Sequence, residues 1–375
     1  MSLDFQNLDY SWVHEQNDSK NESLLFAQKI FSLLANKHSV WLGADCRVSR
    51  SEIMNDRNVS PSLFFRSGGT SGKHKWIRHD QQSLFSAVNG LMEHLGEESM
   101  SCWCCLPLNH VGGMMQIIRA ASTGGKVFFF DYRRLLREPL ESLCENQWIS
   151  LVPTQLHRLI ESSVACKNLR KFRGIFVGGA AIPLRLAQKC RVEALPLFPS
   201  YGMSETAGMI TLLDANSFRN GIEGVGNTLP HAQISVDSQK NCFLVKSKSM
   251  CLNSTEFSSM RGGWLSTPDY GYQDGDGNWF IQGRLDRTII TGGEKVNPKE
   301  IEQVLGQFES VRECVVYGVK DEEWGQRVVA YISPKTIKIQ KLKDFAKRKL
   351  ANHSIPKEWH LVEKLPLSAM GKPLN

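Results

Sequence analysis

The stretch "CWCCLPLNHVGGMMQIIRAASTGGKVFFF", Cys102 to Phe130, decides the architecture. A short apolar run opens it, a second ("KVFFF") closes it, and a helical stretch lies between them. Further apolar runs follow: "ISLVP" from Ile149, "GIFVGG" from Gly174 and "LFPSYG" from Leu197. Short β-rich runs alternating with helical stretches predict an α/β architecture with largely parallel strands. Upstream, "ESLLFAQKIFSLLANK" from Glu22 has apolar residues at helical spacing and predicts an amphipathic helix.

Beyond about residue 221 the texture changes. Glycine-rich segments such as "GIEGVG" and "YQDGDGNWFIQG" predict a β-rich subdomain with tight hairpin turns. "DGDG" begins like a calcium loop, but the glutamate such a loop needs downstream is missing, so a hairpin turn is the expectation. From Arg287 a compact module follows, with strands "RTIITGG", "ECVVYGV" and "RVVAYIS" and helices "NPKEIEQVLGQF" and "QKLKDFAKRKL". Its size suits a small α+β domain of its own.

The chain has 375 residues, 41% of them hydrophobic and 22% charged, as in an ordinary globular protein of more than one domain. Its net charge of +7 suits anionic small substrates. No basic run interleaved with aromatics points to nucleic acid, and no apolar run approaches the ~20 residues that span a bilayer. "MSLDFQNLDYSW" lacks the basic start and apolar core of a secretory signal. The ten cysteines are scattered apart from "CWCC", without paired metal spacing. They are expected to be buried thiols of a cytoplasmic protein.

"SGGTSGKHK", Ser67 to Lys75, is the first stretch with chemistry in it. Its glycines let backbone N–H groups approach a phosphate, and its hydroxyls and lysines are anion donors. The spacing from Gly68 to Lys73 nears that of a kinase-type phosphate loop, but His74 stands where Ser or Thr should follow. From these residues alone a solvated turn and a phosphate site both stay open. The preceding apolar run places the loop at a sheet edge.

An ordered series then runs through the chain: this loop, "PLNHVGG", "GGAA", "YGMSET", "STPDYG", "GRLDR", "TGGEKVNPKEIE" and "LPLSAMGK". The series resembles the adenylate-forming superfamily of acyl-CoA ligases, luciferases and peptide-synthetase adenylation domains, over roughly residues 63–372. Each motif alone is weak; their order is specific. The resemblance implies a large α/β N-terminal domain over residues 1–285, with its β-rich subdomain, and a small mobile α+β C-terminal domain over 286–375.

It also implies roles. Ser67, Gly68, Gly69, Thr70, Ser71 and Gly72 would grip the ATP phosphates, with Lys75 as the closing lysine. Glu205 would be the Mg2+-binding acid and Ser204 the hydroxyl beside the α-phosphate. Tyr201 would stack on adenine against the slim turn at Gly178 and Gly179, where Gly178 would also border the acid. Asp269 would accept the ribose hydroxyls, reinforced by Arg284. His110 would border the acyl pocket, Asp286 would be the hinge, and Gly292 and Gly293 would line the CoA tunnel. Lys372 would be the catalytic lysine of adenylation. Fixed cations and a magnesium ion suit this chemistry, because a carboxylate must meet a polyphosphate and pyrophosphate must leave.

Within the superfamily the chain is similar to the o-succinylbenzoate–CoA ligases of menaquinone and phylloquinone biosynthesis. The residues that carry this are "LPLNHVGGMMQIIRAASTGGKV", "SLVPTQLHRLI" and "GGAAIP". The likeness implies ATP and CoA as co-substrates, Mg2+ as cofactor and o-succinylbenzoate as the acid. It implies no nucleic acid and no membrane span, and leaves a homodimer open. Arg119 is the candidate to hold the second carboxylate of that acid in a bidentate fork. A place on the outer surface of its helix is the competing reading. Thr154 and Gln155 are further pocket candidates. Two other functions stand beside this one: a ligase for another aryl or medium-chain acid, and a nucleotide-binding protein without activity. The joint presence of Lys75, Glu205, Asp269, Arg284 and Lys372 disfavours the last. The chain departs from the pattern at Asn109, where an aromatic is usual, and at Arg287, where a second aspartate is common. With 66 residues ahead of the loop, part of the first subdomain is expected to be abbreviated.

Overall fold

The structure, a computed structural model, describes residues 22–36, 38–42, 60–68, 74–252, 260–334 and 336–365. Helix α1 (Glu22–Ala35) packs beside a three-stranded sheet of β1 (Val40–Leu42), β2 (Ser62–Gly68) and β3 (His74–Asp80). Strand β2 is the middle one, parallel to β1 and antiparallel to β3, with Ser67 opposite Lys75. The two ends of the glycine loop, Gly68 and His74, therefore lie opposite each other on paired strands. Its lysine is set by register against the serine that opens the motif.

A seven-stranded sheet follows, from β4 (Cys102–Cys104), β5 (Val127–Phe129), β6 (Trp148–Leu151), β7 (Gly174–Val177), β8 (Leu197–Met203), β9 (Gly208–Leu212) and β10 (Asn227–Thr228). Its order is β10-β9-β8-β7-β6-β4-β5. The pairs from β5 to β8 are parallel, as the alternating pattern predicted, while β9 and β10 run antiparallel. Side chains alternate across the sheet. Cys102, Cys104, Trp148 and Phe176 enter one core with helices α1, α2 (Gln81–Leu95) and α3 (Val111–Thr123). Trp103, Ile149, Ile175, Val177 and Leu197 enter a second core on the opposite face. Burial on both faces is why these strands read as continuous apolar runs instead of alternating ones.

The glycine-rich region forms a four-stranded sheet from Ala232–Asp237, Cys242–Ser247, Met260–Arg261 and Trp264–Ser266, then a hairpin of Asp269–Gln273 with Trp279–Arg284. The "DGDG" segment is that hairpin's turn, with Asp274 accepting from the backbone N–H groups of Asp276 and Asn278. The final region carries its own core, built on Glu313–Asp321 and Gly325–Ser333 under helices Pro298–Leu305 and Ile339–Lys349. No described helix is long and apolar enough to cross a membrane.

One glycine of "PLNHVGG" has a purely steric reason. A Cβ at Gly113 would sit 2.2 Å from the Pro107 carbonyl oxygen, because the first turn of α3 lies against the chain that enters it. Backbone cannot yield as a side chain does. Gly113→Ala should therefore destabilise the protein by at least ~1–3 kcal/mol. A urea titration would read this, and an unchanged midpoint would show that α3 can back away from Pro107.

Candidate active site

The parallel part of the central sheet ends at β8, where β9 turns back antiparallel. Ligands of open α/β sheets bind beyond the strand C-termini at such a point. Gly178 and Gly179 leave β7 there, and a Cβ at Gly178 would come within 2.8 Å of Ser200 Oγ on β8. Strand β8 carries Tyr201 and runs into a tight turn, Ser204–Thr206, holding Ser204 and Glu205.

Three of the nucleotide candidates and the hinge candidate Asp286 form one connected network. The Tyr201 hydroxyl donates to Asp269 Oδ2 at 2.7 Å, and Arg284 Nη1 donates to Asp269 Oδ1 at 3.3 Å. Arg284 also forks onto Asp286, Nε to Oδ1 at 2.9 Å and Nη2 to Oδ2 at 2.7 Å. Burial and the Asp269 carboxylate hold the Tyr201 phenol well above its ordinary range, so it stays a donor. Burial alone would lower Arg284, but Asp286 and Asp269 raise it, so it stays charged. A carboxylate has several acceptor sites, which is the chemistry a pair of sugar hydroxyls requires. Tyr201 is thereby oriented through its hydroxyl while its ring meets Phe243 edge-on, at 6.2 Å and 70°.

Downstream of Asp286, Arg287 points the other way. Its Nη2 lies 3.1 Å from Glu302 Oε1 and donates to the Val316 carbonyl at 3.2 Å. Burial raises Glu302, and Arg287 counters that. The departure at Arg287 thus has a partner in the small C-terminal region, whereas Asp286 is tied to the sheet before it. Gly292 and Gly293 make the turn between Ile289–Thr291 and Glu294–Val296 with φ of 57° and 84°, left-handed conformations that favour glycine.

His110 is the N-cap residue of α3, and Arg119 lies on the same helix, nine residues on. Arg119 is 5% exposed, which excludes the surface reading. Its Cζ lies 5.6 Å from the Phe176 ring centroid, and its Nε is buried without a hydrogen-bond partner. No carboxylate among the described residues lies within ion-pairing distance of it. Burial pulls the guanidinium down to about 10, with Cys102 acting the other way, so it remains a cation at neutral pH. An unpaired buried charge is costly and calls for an anion. Phe176, its neighbour, was missed in the sequence because "GIFVGG" reads as plain strand.

Other candidates fare differently. Thr154 sits in the first turn of the helix Pro153–Leu159, half-buried. Gln155 spends its Oε1 on the Val152 N–H at 3.0 Å and so serves its own helix start. Lys75 lies on β3. Gly69, Thr70, Ser71, Gly72 and Lys372 lie outside the described residues, and Ser67 and Gly68 are described by their backbone alone.

A resident metal cage is absent among the described residues, where no three His, Cys, Asp or Glu side chains gather. Glu205 instead offers one half-buried carboxylate, with no described cation in a salt bridge to it. That fits magnesium, which is commonly held by one or two carboxylates together with substrate phosphates and water. The nine described cysteines are free thiols, and burial pushes Cys102 and Cys105 up to about 12, which leaves them inert.

Comparison with known proteins places the chain in a family. The AMP-binding enzyme family matches residues 16–246, and the AMP-binding enzyme C-terminal domain matches residues 300–372. A 2-succinylbenzoate–CoA ligase of Bacillus subtilis is 30% identical over 336 residues, covering 85% of this chain and 68% of the relative. The o-succinylbenzoate CoA synthetase of Bacillus subtilis, solved with its acyl-adenylate intermediate, superposes with a TM-score of 0.72 at 27% identity, covering 88% of this chain and 71% of that one. The same enzyme solved with ATP and magnesium gives 0.71 at 27% identity, over 83% and 68%. This chain spans about two thirds of the length of such relatives.

Proposed function

This chain belongs to the AMP-binding enzyme family, and from that premise we propose that it is an ATP-dependent o-succinylbenzoate–CoA ligase of quinone biosynthesis. The acid and ATP give an acyl-adenylate and pyrophosphate; CoA then displaces AMP and leaves a thioester. The observation that carries the choice of acid is Arg119, buried with its Nε unpartnered and no carboxylate beside it among the described residues. An aryl acid with a second carboxylate supplies the anion that Arg119 lacks, while the succinyl carboxylate is left to react. A fatty acid or simple benzoate would leave the cation uncompensated.

The remaining residues take roles consistent with their positions. Asp269 and Arg284 hold the ribose, and Tyr201 offers its ring to adenine with its hydroxyl tied down. The glycine loop, closed by Lys75, grips the β- and γ-phosphates. Glu205 would hold the magnesium ion, which screens the phosphates as pyrophosphate leaves. His110 and Thr154 border the acyl pocket, and the slim Gly178–Gly179 turn admits the adenine. We place the domain boundary at residues 285/286, supported by the opposite ties of Asp286 and Arg287. The small domain moves about it, bringing Lys372 to adenylation and the Gly292–Gly293 turn to the CoA tunnel. A cytoplasmic location is supported by the free thiols.

The test is AMP release with ATP and CoA over a panel of acids. The expected rate with o-succinylbenzoate is at least about tenfold that with benzoate or a fatty acid, since a site built around a buried charge rejects substrates that leave it unpaired. Equal rates across the panel would assign the chain to a broader acyl-CoA ligase.

A further inference from the structure

His79 lies on β3, the strand that leaves the phosphate loop, and is fully buried at 0% exposure. Its Nε2 is 2.7 Å from the Ser204 carbonyl oxygen, and its Nδ1 is 3.1 Å from Ser83 Oγ. A carbonyl can only accept, so Nε2 carries the proton. Burial pushes the ring down to about 4, so it is neutral, and the bare Nδ1 shares the one Ser83 hydroxyl proton with the Asp80 carbonyl oxygen, 2.9 Å from Ser83 Oγ.

The next two carbonyls of the same turn are also held. The Cys251 N–H donates to the Glu205 carbonyl at 2.8 Å, and Ser249 Oγ donates to the Thr206 carbonyl at 2.8 Å. Ala207, which closes the turn, has φ of 52°, a conformation alanine holds only when its surroundings dictate it. Two separate elements therefore fix the backbone under Ser204 and Glu205, and one of them is the strand of the phosphate loop.

We propose that His79 is a positioning residue for adenylation: by donating to the Ser204 carbonyl it fixes the turn that carries Glu205 against β3, the strand that carries Lys75. This rests on the reading that Glu205 faces the ATP phosphates through magnesium. In this way Glu205 and Lys75, far apart in sequence, share one support.

The test compares His79→Gln with His79→Asn. The glutamine amide nitrogen is as many bonds from Cα as His Nε2 and can keep the bond to Ser204. The asparagine amide reaches only as far as Nδ1 and keeps the Ser83 side alone. The readouts are ATP–pyrophosphate exchange, Mg-ATP binding by calorimetry, the acid Michaelis constant, and thioester formation from supplied acyl-adenylate. His79→Asn should lose about 10–100-fold in exchange, as a misplaced charged group does. It should also bind Mg-ATP more weakly, with the acid constant and thioester step nearly unchanged. His79→Gln should restore most of the exchange.

The reverse order, with asparagine active and glutamine not, would reduce His79 to a partner of Ser83, and equal activity of both would overturn the proposal. Where a His79 variant does not fold, Ser249→Ala frees a neighbouring carbonyl of the turn; unchanged Mg-ATP affinity there would also overturn it. A wild-type enzyme without exchange on any acid would refute the adenylation reading instead, and calorimetry with Mg-ATP would still judge His79.

Discussion

Replacing Arg119 by alanine should raise the Michaelis constant for o-succinylbenzoate on the order of 10²-fold and leave that for ATP nearly unchanged. The size follows from the ~2–5 kcal/mol that a buried charge partner is worth to the group it binds. The selectivity follows from place. Arg119 sits on α3 over Phe176, whereas the nucleotide candidates Tyr201, Asp269 and Arg284 share a separate network. The same residue supports an opposite expectation for stability. In the unliganded protein its guanidinium is buried with Nε unpartnered and no described carboxylate beside it. Arg119→Met keeps much of the packing and removes the unpaired charge. The unliganded variant should therefore melt higher, by about 1–3 kcal/mol of added stability, while acid recognition is lost. Adding the acid should raise the melting temperature of the wild type and not of the variant. An unchanged acid constant in Arg119→Ala would mean that the second carboxylate is held elsewhere.

The two half-reactions should come apart by mutation at opposite ends of the C-terminal region. Lys372 is remote in sequence from the other nucleotide candidates, and its cation is useful while negative charge gathers between carboxylate and α-phosphate. It has no evident task once the adenylate is made. Lys372→Ala should therefore cut adenylate formation by ~10²–10³, the usual cost of losing one charge contact in a transition state, while supplied acyl-adenylate still proceeds to thioester. Gly293→Leu should do the reverse. No atom of the described residues lies within 4 Å of a Cβ built at Gly293, so a side chain there projects into space that the proposal assigns to the CoA arm. Because φ is 84° at Gly293, leucine also strains the turn. Gly293→Asn, which tolerates that conformation better with a shorter side chain, separates strain from obstruction. Gly292 is a poorer target, since its Cβ would lie 2.9 Å from the Trp324 ring. Stopped-flow measurement of each step decides the matter. If Lys372→Ala and Gly293→Leu lose both steps equally, the rotating-domain mechanism does not hold for this chain.

The sequence by itself determined the α/β class with largely parallel strands and the kind of chemistry. Runs such as "GIFVGG" and "ISLVP" are apolar throughout because parallel strands are covered on both faces, and that pattern is local enough to read without coordinates. The motif series likewise named Glu205, Asp269, Arg284 and Lys372 through residue type and order. Tertiary structure alone decided what those residues lean on. Arg119 lies on a helix whose pattern fits either burial or exposure, and only packing on Phe176 excludes the surface. Gln155 looked like a pocket residue until its side chain proved to serve the Val152 N–H. His79 carried no signal at all, because its partner Ser204 is 125 residues away. Contacts across such separations are set by how strands and turns stack, and a hydrogen bond between a side chain and a distant backbone carbonyl leaves no pattern in the sequence around either end.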